Sequence, residues 1–257
     1  MQIEELEHIL ALHPEIDVLA TRLSKKGEKH FLLRNLFASA QSIILHSLHT
    51  RLAQHEHPKT MLVVLDNADD AQYMYADLST LSQQQNIFFF PTSHRRRKGT
   101  DEAMAVQRTE VLSAIMKLKT GNSQLTTETL IVTYPEALLE EVPLPEALQE
   151  KTISISVEEE IAQTQLIKQL IALDFQRVDF VYEPGQFAVR GGILDVYSYS
   201  HEHPYRIDYF GDEVDSIREF DIETQLSKQR VNTIQIVGNQ PNSENMTLIT
   251  SYLPEDT

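Results

Sequence analysis

Between residues 178 and 220 the chain divides into five short alternating segments: 178–182, 186–190, 193–198, 205–210 and 214–220. Pro184-Gly185, Gly191-Gly192, a 199–204 loop and Gly211 separate them. Segments this short leave no room for helices. Glycine-bearing gaps of a few residues close hairpins, so the pattern requires an antiparallel meander. Five of the eight glycines in the 257-residue chain lie between 185 and 238, which sets this stretch apart from what precedes it. A helix over 157–173 leads into it, and a strand over 234–237 leads out.

The first 150 residues follow another rule. Helical spacing over 5–23 is interrupted at His13-Pro14, then come a short strand candidate at Phe31-Leu32-Leu33 and a helix over 39–54. Continuous apolar runs at 61–65, 87–90 and 130–132 read as buried parallel strands, with helices over 68–82 and 102–118 between them. Strands alternating with helices make an open α/β layer.

Charge and composition narrow the chemistry. There are 22 basic against 38 acidic side chains, a net charge of −16, and such a field repels phosphate backbones. The chain has no cysteine, which removes disulfides, thiolate metal sites and cysteine nucleophiles. The start MQIEELEHIL has neither a cationic region nor a long apolar one, and no apolar run reaches the ~18 residues of a membrane span. A cytoplasmic protein without membrane partners is expected.

A phosphate-binding loop of the G-x-x-x-x-G-K-[ST] type would fall on Asn35-Leu36-Phe37-Ala38-Ser39-Ala40-Gln41-Ser42. Asn35 and Ala40 stand at the glycine positions, Gln41 at the lysine position, and only Ser42 fits. Side chains block the backbone approach to phosphate, and the cationic anchor is gone. Asp66 with Asp69 and Asp70 resembles a magnesium-binding strand end. A helix N-terminus explains the same residues, because carboxylates favour that end of the dipole. His46, His49, His55 and His57 lack the further ligands of a zinc site and read as a solvated helix end, while His201 and His203 read as surface loop residues. No metal or cofactor is expected. Arg95, Arg96, Arg97 and Lys98 with His94 form the one dense basic cluster. It reads as a solvated loop or as a contact for phosphate or an acidic partner.

Three ordered motifs carry a resemblance. They are Glu183-Pro184-Gly185-Gln186-Phe187-Ala188-Val189-Arg190-Gly191-Gly192-Ile193-Leu194-Asp195, then Pro204-Tyr205-Arg206-Ile207-Asp208-Tyr209-Phe210, then Asp212-Glu213-Val214-Asp215-Ser216-Ile217-Arg218 with Phe220-Asp221. In this spacing residues 178–225 closely resemble the second domain of the bacterial transcription-repair coupling factors (Mfd), and less closely that of the excision-repair protein UvrB. Residues 1–150 match that family only in outline. There the resemblance gives the broken octet a meaning: a UvrB-like nucleotide site that has decayed.

The expected fold class is therefore α/β. A degenerate P-loop-type open sheet layer occupies 1–151, and a smaller α+β domain with an antiparallel sheet, like UvrB domain 2, occupies 152–237. A segment over 238–257 returns toward the first domain. The resemblance implies a non-catalytic interaction module of transcription-coupled DNA repair that recruits UvrA to stalled RNA polymerase. It also implies an amino-terminal portion of a longer ATP-dependent DNA translocase, whose remainder would contact polymerase and DNA. The family's UvrA-binding residues carry over onto Arg190, Arg206 and Phe210. Where UvrB has a further arginine, this chain has Ala188, and Arg218 lies outside the carried-over set.

The residues themselves point the same way. Residues 183–223 hold three arginines against ten carboxylates, a poor composition for gripping DNA. Isolated arginines there suit bidentate contacts to carboxylates. Strand alternation puts Arg206, Asp208 and Phe210 on one face and Tyr205, Ile207 and Tyr209 on the other. Arg190 can equally pair within the chain, to Asp195 or Asp208. Two further readings stand beside docking: a divergent ATPase with magnesium at Asp66–Asp70, and a UvrB-like DNA contact through Arg95–Lys98.

The substitutions in the octet predict that the chain neither binds nor hydrolyses ATP specifically. Titration of labelled ATP with magnesium checks this, and micromolar, magnesium-dependent binding would overturn it.

Overall fold

The computed structural model describes residues 13–25, 30–52, 60–82, 86–93, 101–120, 129–239 and 246–253. The chain divides into two compact units. The first comprises Met1–Pro91, Lys117–Leu139 and Leu253–Thr257; the second comprises Thr92–Met116 and Glu140–Tyr252.

In the first unit the apolar runs become three parallel strands, β1 (Thr60–Val64), β2 (Ile87–Phe89) and β3 (Thr129–Thr133), in the order β1-β3-β2. β3 is buried along its whole length, as a central strand covered on both faces must be. Helix α1 (Pro14–Leu23) has proline in its first turn, where a missing N–H costs nothing, and packs Ala20 against Leu48 and Leu52 of α2 (Ala40–Leu52). Helix α3 (Ala68–Leu81) starts at Asn67, whose side chain accepts from the Asp70 N–H at 2.9 Å. Asn67 Nδ2 also donates to the Asp70 carboxylate at 2.8 Å, so the Asp69–Asp70 pair charges a helix N-terminus.

The strand expected at Phe31–Leu33 does not form. Residues 30–36 hold no regular structure, and Phe31 and Leu33 instead line an apolar pocket with Pro14, Val18 and Leu19 of α1. Without a neighbouring strand to pair with, the segment has no ladder to join, and Leu32 stays exposed. His49, expected at a solvated helix end, is buried.

Helix α4 (Asp101–Thr120) precedes β3. After it come α5 (Pro135–Leu139), the two-residue β4 (Val142–Pro143) and α6 (Pro145–Glu150), none of them legible from periodicity at this length. In the second unit β5 (Thr152–Ser156) pairs antiparallel with the later strand Thr233–Val237. Helix α7 spans Gln163–Ala172, shorter than the expected 157–173 because Val157–Ala162 form a turn and an isolated bridge from Glu160 to Glu213.

A six-stranded sheet follows in sequential order: β6 (Gln176–Arg177), β7 (Gln186–Arg190), β8 (Ile193–Val196), β9 (Tyr205–Phe210), β10 (Glu213–Phe220) and β11 (Ser227–Val231). The strand expected at 178–182 is replaced by β6, which runs parallel to β7; residues 178–183 form no strand, and Val181 is buried beneath them. β11 follows the expected segments as a further strand, largely exposed at the sheet edge. β12 (Thr233–Val237) is the partner of β5, and β13 (Met246–Thr247) pairs with β4. Ile249–Ser251 form a 3₁₀ turn, and the buried Tyr252 donates to the Pro143 carbonyl at 2.6 Å.

One face of the sheet buries Phe187, Leu194, Val196, Ile207, Val214 and Ile217 against Leu166 and Leu170 of α7 and the β5–β12 pair. Gly185 adopts φ +84°, and a Cβ there would lie 2.5 Å from the Tyr199 hydroxyl, so only glycine fits.

His201, expected on the surface, is half-buried. It stacks on Tyr205 with ring centroids 5.1 Å apart and lies between Glu219, at 2.9 Å, and Glu110 of α4, at 3.8 Å. Burial opposes its charge, but the hydrogen bonds to Glu110 and Glu219 outweigh it and hold its pKa at about 9. The folded value lies above the ordinary value near 6.5, so the stability that protonation supplies is full below about 6.5 and lost as pH rises through about 9. Urea midpoints from pH 6 to 10 should therefore bring wild type and His201→Gln closer together as pH rises, by roughly 2 kcal/mol in all. A gap independent of pH would show that His201 folds uncharged.

Candidate functional site

Strand register decides which side chains meet. Ala188 stands opposite Asp195, Asp195 opposite Arg206, Arg206 opposite Arg218, and Arg218 opposite Arg230. Directly opposed residues point to the same face, so these five form one row across β7 to β11. A second row on that face runs Arg190, Ile193, Asp208 and Ser216. The face opposite the core thus gathers arginines that are far apart in sequence.

Asp195 is its centre. Its side chain is 1% exposed, with both oxygens engaged. Arg206 Nε donates to Oδ1 at 2.7 Å and Arg206 Nη2 to Oδ2 at 2.9 Å, while Arg190 Nη2 also donates to Oδ2. The two guanidiniums share one carboxylate, which leaves the cluster one positive charge. The hydrogen bonds to Asp195 outweigh desolvation and raise the Arg206 pKa beyond its ordinary value.

Each arginine is held a second time. Arg206 Nη1 donates to the Gln225 carbonyl at 3.3 Å, and its guanidinium lies over the Phe220 ring, 4.4 Å from the centroid. Arg190 Nη1 donates to the Asp179 carbonyl at 3.3 Å, and its guanidinium lies 5.1 Å from the Phe180 centroid. Arg206 is 15% exposed, with all three nitrogens engaged by Asp195 and Gln225, whereas Arg190 is 37% exposed and leaves more of its fork at the surface.

Phe210 ends β9 on the same face and is 83% exposed. Gly211, at φ +66° in the two-residue turn after it, reverses the chain so that Glu213 stands opposite Phe210. An aromatic ring left in water on the same sheet face as fixed guanidiniums has the composition of an interface hot spot. Ala188, at the row's other end, is buried with Val181, Tyr197 and Phe220. Its methyl closes a small apolar cluster where an arginine would have to be displaced outward.

The alternation argument holds for Arg206 and Phe210, and cross-strand register adds Arg190 to the same face. Of the two in-chain partners open to Arg190, the structure selects Asp195; Asp208 is taken by Arg218 Nη2 and by the Ser216 hydroxyl at 3.1 Å. Sequence reasoning missed that Asp195 joins both arginines, because cross-strand register is invisible to single-strand alternation. It also left Arg218 outside the set, although Arg218 is the direct neighbour of Arg206.

The degenerate octet lies elsewhere, in the first unit. Asn35 and Ala38 both take positive φ, Ala40 opens α2, and Gln41 Nε2 donates to the Leu36 carbonyl at 3.4 Å. Ser42 is buried, and its hydroxyl donates to Asp77 at 2.8 Å. With residues 30–36 irregular, no strand–loop–helix unit forms here, and the P-loop-type character expected of the layer is not seen. Arg95–Lys98, His55 and His57 lie outside the described residues. Among the described residues no group of three His, Asp or Glu side chains is placed to hold a metal, and no helix is long and apolar enough to cross a membrane.

Removing the shared carboxylate should be costly. Asp195→Ala leaves two guanidiniums facing each other and is expected to lose roughly 3–5 kcal/mol in urea unfolding. A loss below about 1 kcal/mol would mean that water satisfies both arginines equally well.

Residues 153–241 match the family model described as the UvrB interaction domain. Over 82% of its length the chain is 31% identical to the transcription-repair-coupling factor of Bacillus subtilis (strain 168). It is 26% identical to the proteins of the same name from Staphylococcus aureus (strain USA300), over 82% of the chain, and Haemophilus influenzae (strain Rd), over 81%. The chain spans about 17% of the length of these relatives. These matches bear out the resemblance carried by the three motifs.

Proposed function

We propose, from the similarity of residues 153–241 to the UvrB interaction domain and of most of the chain to transcription-repair-coupling factors, that this chain is a non-catalytic docking module that binds UvrA. In this reading it brings UvrA to stalled RNA polymerase. Polymerase and DNA are contacted by other parts of a longer, ATP-driven translocase, and the complex works in the cytoplasm. The docking domain is 152–237; 1–151 is a nucleotide-binding-like layer without its phosphate chemistry, and 238–257 returns toward it.

The observation that carries the reading is the pairing of an almost fully exposed Phe210 with two guanidiniums fixed by Asp195 on one sheet face. Immobilising an arginine before binding removes part of the side-chain entropy cost of the complex. The ring supplies apolar area, Arg190 supplies charge-assisted hydrogen bonds to carboxylates, and Arg206 supplies a fixed positive charge beneath the surface.

Calorimetric titration with UvrA tests it. Phe210→Ala is expected to weaken binding by at least about 30-fold, corresponding to roughly 2 kcal/mol or more at a buried anchor. Arg190→Ala and Arg206→Ala should weaken it comparably, because a desolvated partner carboxylate is left unpaired. Circular dichroism checks folding, which matters most for Arg206. Wild-type affinity in a folded Phe210→Ala protein would sink the reading.

A further inference from the structure

The arginine row does not stop at Arg206. Arg218 stands opposite it on β10, and Arg230 opposite Arg218 on the edge strand β11. At the ~4.8 Å spacing of neighbouring strands, three guanidinium-bearing positions occupy roughly 10 Å of sheet. Their surroundings are graded. Arg206 is paired bidentately to Asp195, and Arg218 is paired to Asp208, while Arg230 is exposed. No salt bridge or hydrogen bond of its side chain is found among the described residues.

Like charges placed directly opposite each other on a sheet are destabilising, so the Arg206–Arg218–Arg230 sequence costs the free domain something. It stands in a chain of net charge −16, where chance placement favours carboxylates. Phe210 and the exposed Glu213 close the face at the turn end of β9 and β10.

We infer that the docking face extends beyond Arg190, Arg206 and Phe210 through Arg218 to Arg230, and that the row receives an acidic surface of the protein bound at Phe210. This rests on the docking reading above and adds two residues to it. Charge complementarity selects the occupant. The row offers successive cations at strand spacing, and the acidic balance of the whole chain disfavours a phosphate backbone in the same place. Continuity selects the same partner, because Arg206 belongs both to the Asp195 cluster and to the row. A charge at the edge of such a face acts mainly on association rate and salt dependence.

The test compares Arg230→Glu, Arg218→Ala and Phe210→Ala with Lys168→Glu, each titrated with UvrA at low and moderate salt. Lys168 is exposed on α7, which packs on the core face of the sheet, so Lys168→Glu makes the same change in net charge away from the row. Arg230→Glu is expected to weaken binding about tenfold and to flatten its salt dependence, and Arg218→Ala to weaken it about threefold. Lys168→Glu should stay within about twofold.

Equal effects of Arg230→Glu and Lys168→Glu overturn the inference, since net charge alone would then be acting. If Phe210→Ala loses binding while Arg230→Glu and Arg218→Ala match wild type, docking stands and the extension falls. If Phe210→Ala also binds normally, the docking reading fails and the extension with it. A parallel titration with a DNA duplex that Arg230→Glu abolishes, UvrA binding being unchanged, would assign the row to nucleic acid and overturn the protein partner.

Discussion

A single buried carboxylate, Asp195, organises the face on which the proposed function rests. It sits at the centre of the sheet with 1% of its side chain exposed, where an unpaired charge would be costly. Two guanidiniums meet it from the two strands that flank it, Arg206 bidentate from β9 and Arg190 from β7. The desolvation cost is offset only because the geometry is good and each guanidinium has further partners in Gln225, Asp179 and the rings of Phe220 and Phe180. The same arrangement that stabilises the sheet therefore fixes the direction of both arginines before any partner arrives.

The two faces of this sheet divide the work of folding and recognition. Phe187, Leu194, Val196, Ile207, Val214 and Ile217 take the core face with α7, and period-two alternation sends the charged residues to the other. That other face is neither apolar nor uniformly charged. Carboxylates are embedded low in it, arginines lie above them, and one exposed phenylalanine stands at its end. A surface built this way discriminates by geometry as much as by charge, because most of its cations are already half-committed within the chain.

The first unit holds a three-stranded parallel layer, but the residues that would cradle phosphate are not in it. Its central strand is buried and its flanking helices are packed, yet the loop before α2 has side chains where glycines would be needed. Ser42 has turned its hydroxyl to Asp77, and Asn67 caps α3 where a magnesium-binding strand end was conceivable. Packing constraints on a parallel layer are independent of residues that cradle phosphate, so such a layer forms without them.

The sequence by itself determined what depends on local rules. Apolar runs at 61–65, 87–90 and 130–132 marked the parallel strands, because a strand buried on both faces must be apolar throughout. Glycine-punctuated alternation marked β7 to β10, because short hairpins need those turns. Alternation also put Arg206 and Phe210 on one face. What escaped it depends on partners distant in the chain. Phe31–Leu33 was apolar enough for a strand but found a helix instead of a ladder. β13 pairs with β4, and Tyr252 donates to Pro143, about a hundred residues earlier. The His201 pKa is raised because Glu219 of β10 and Glu110 of α4 both meet its ring. Asp195 could be named as a partner for Arg190, but only register across three strands made it the shared anchor of Arg190 and Arg206. Only register across two more brought Arg218 and Arg230 into line, because pairing between strands is fixed by packing of the opposite face and leaves no trace in the spacing along any one of them.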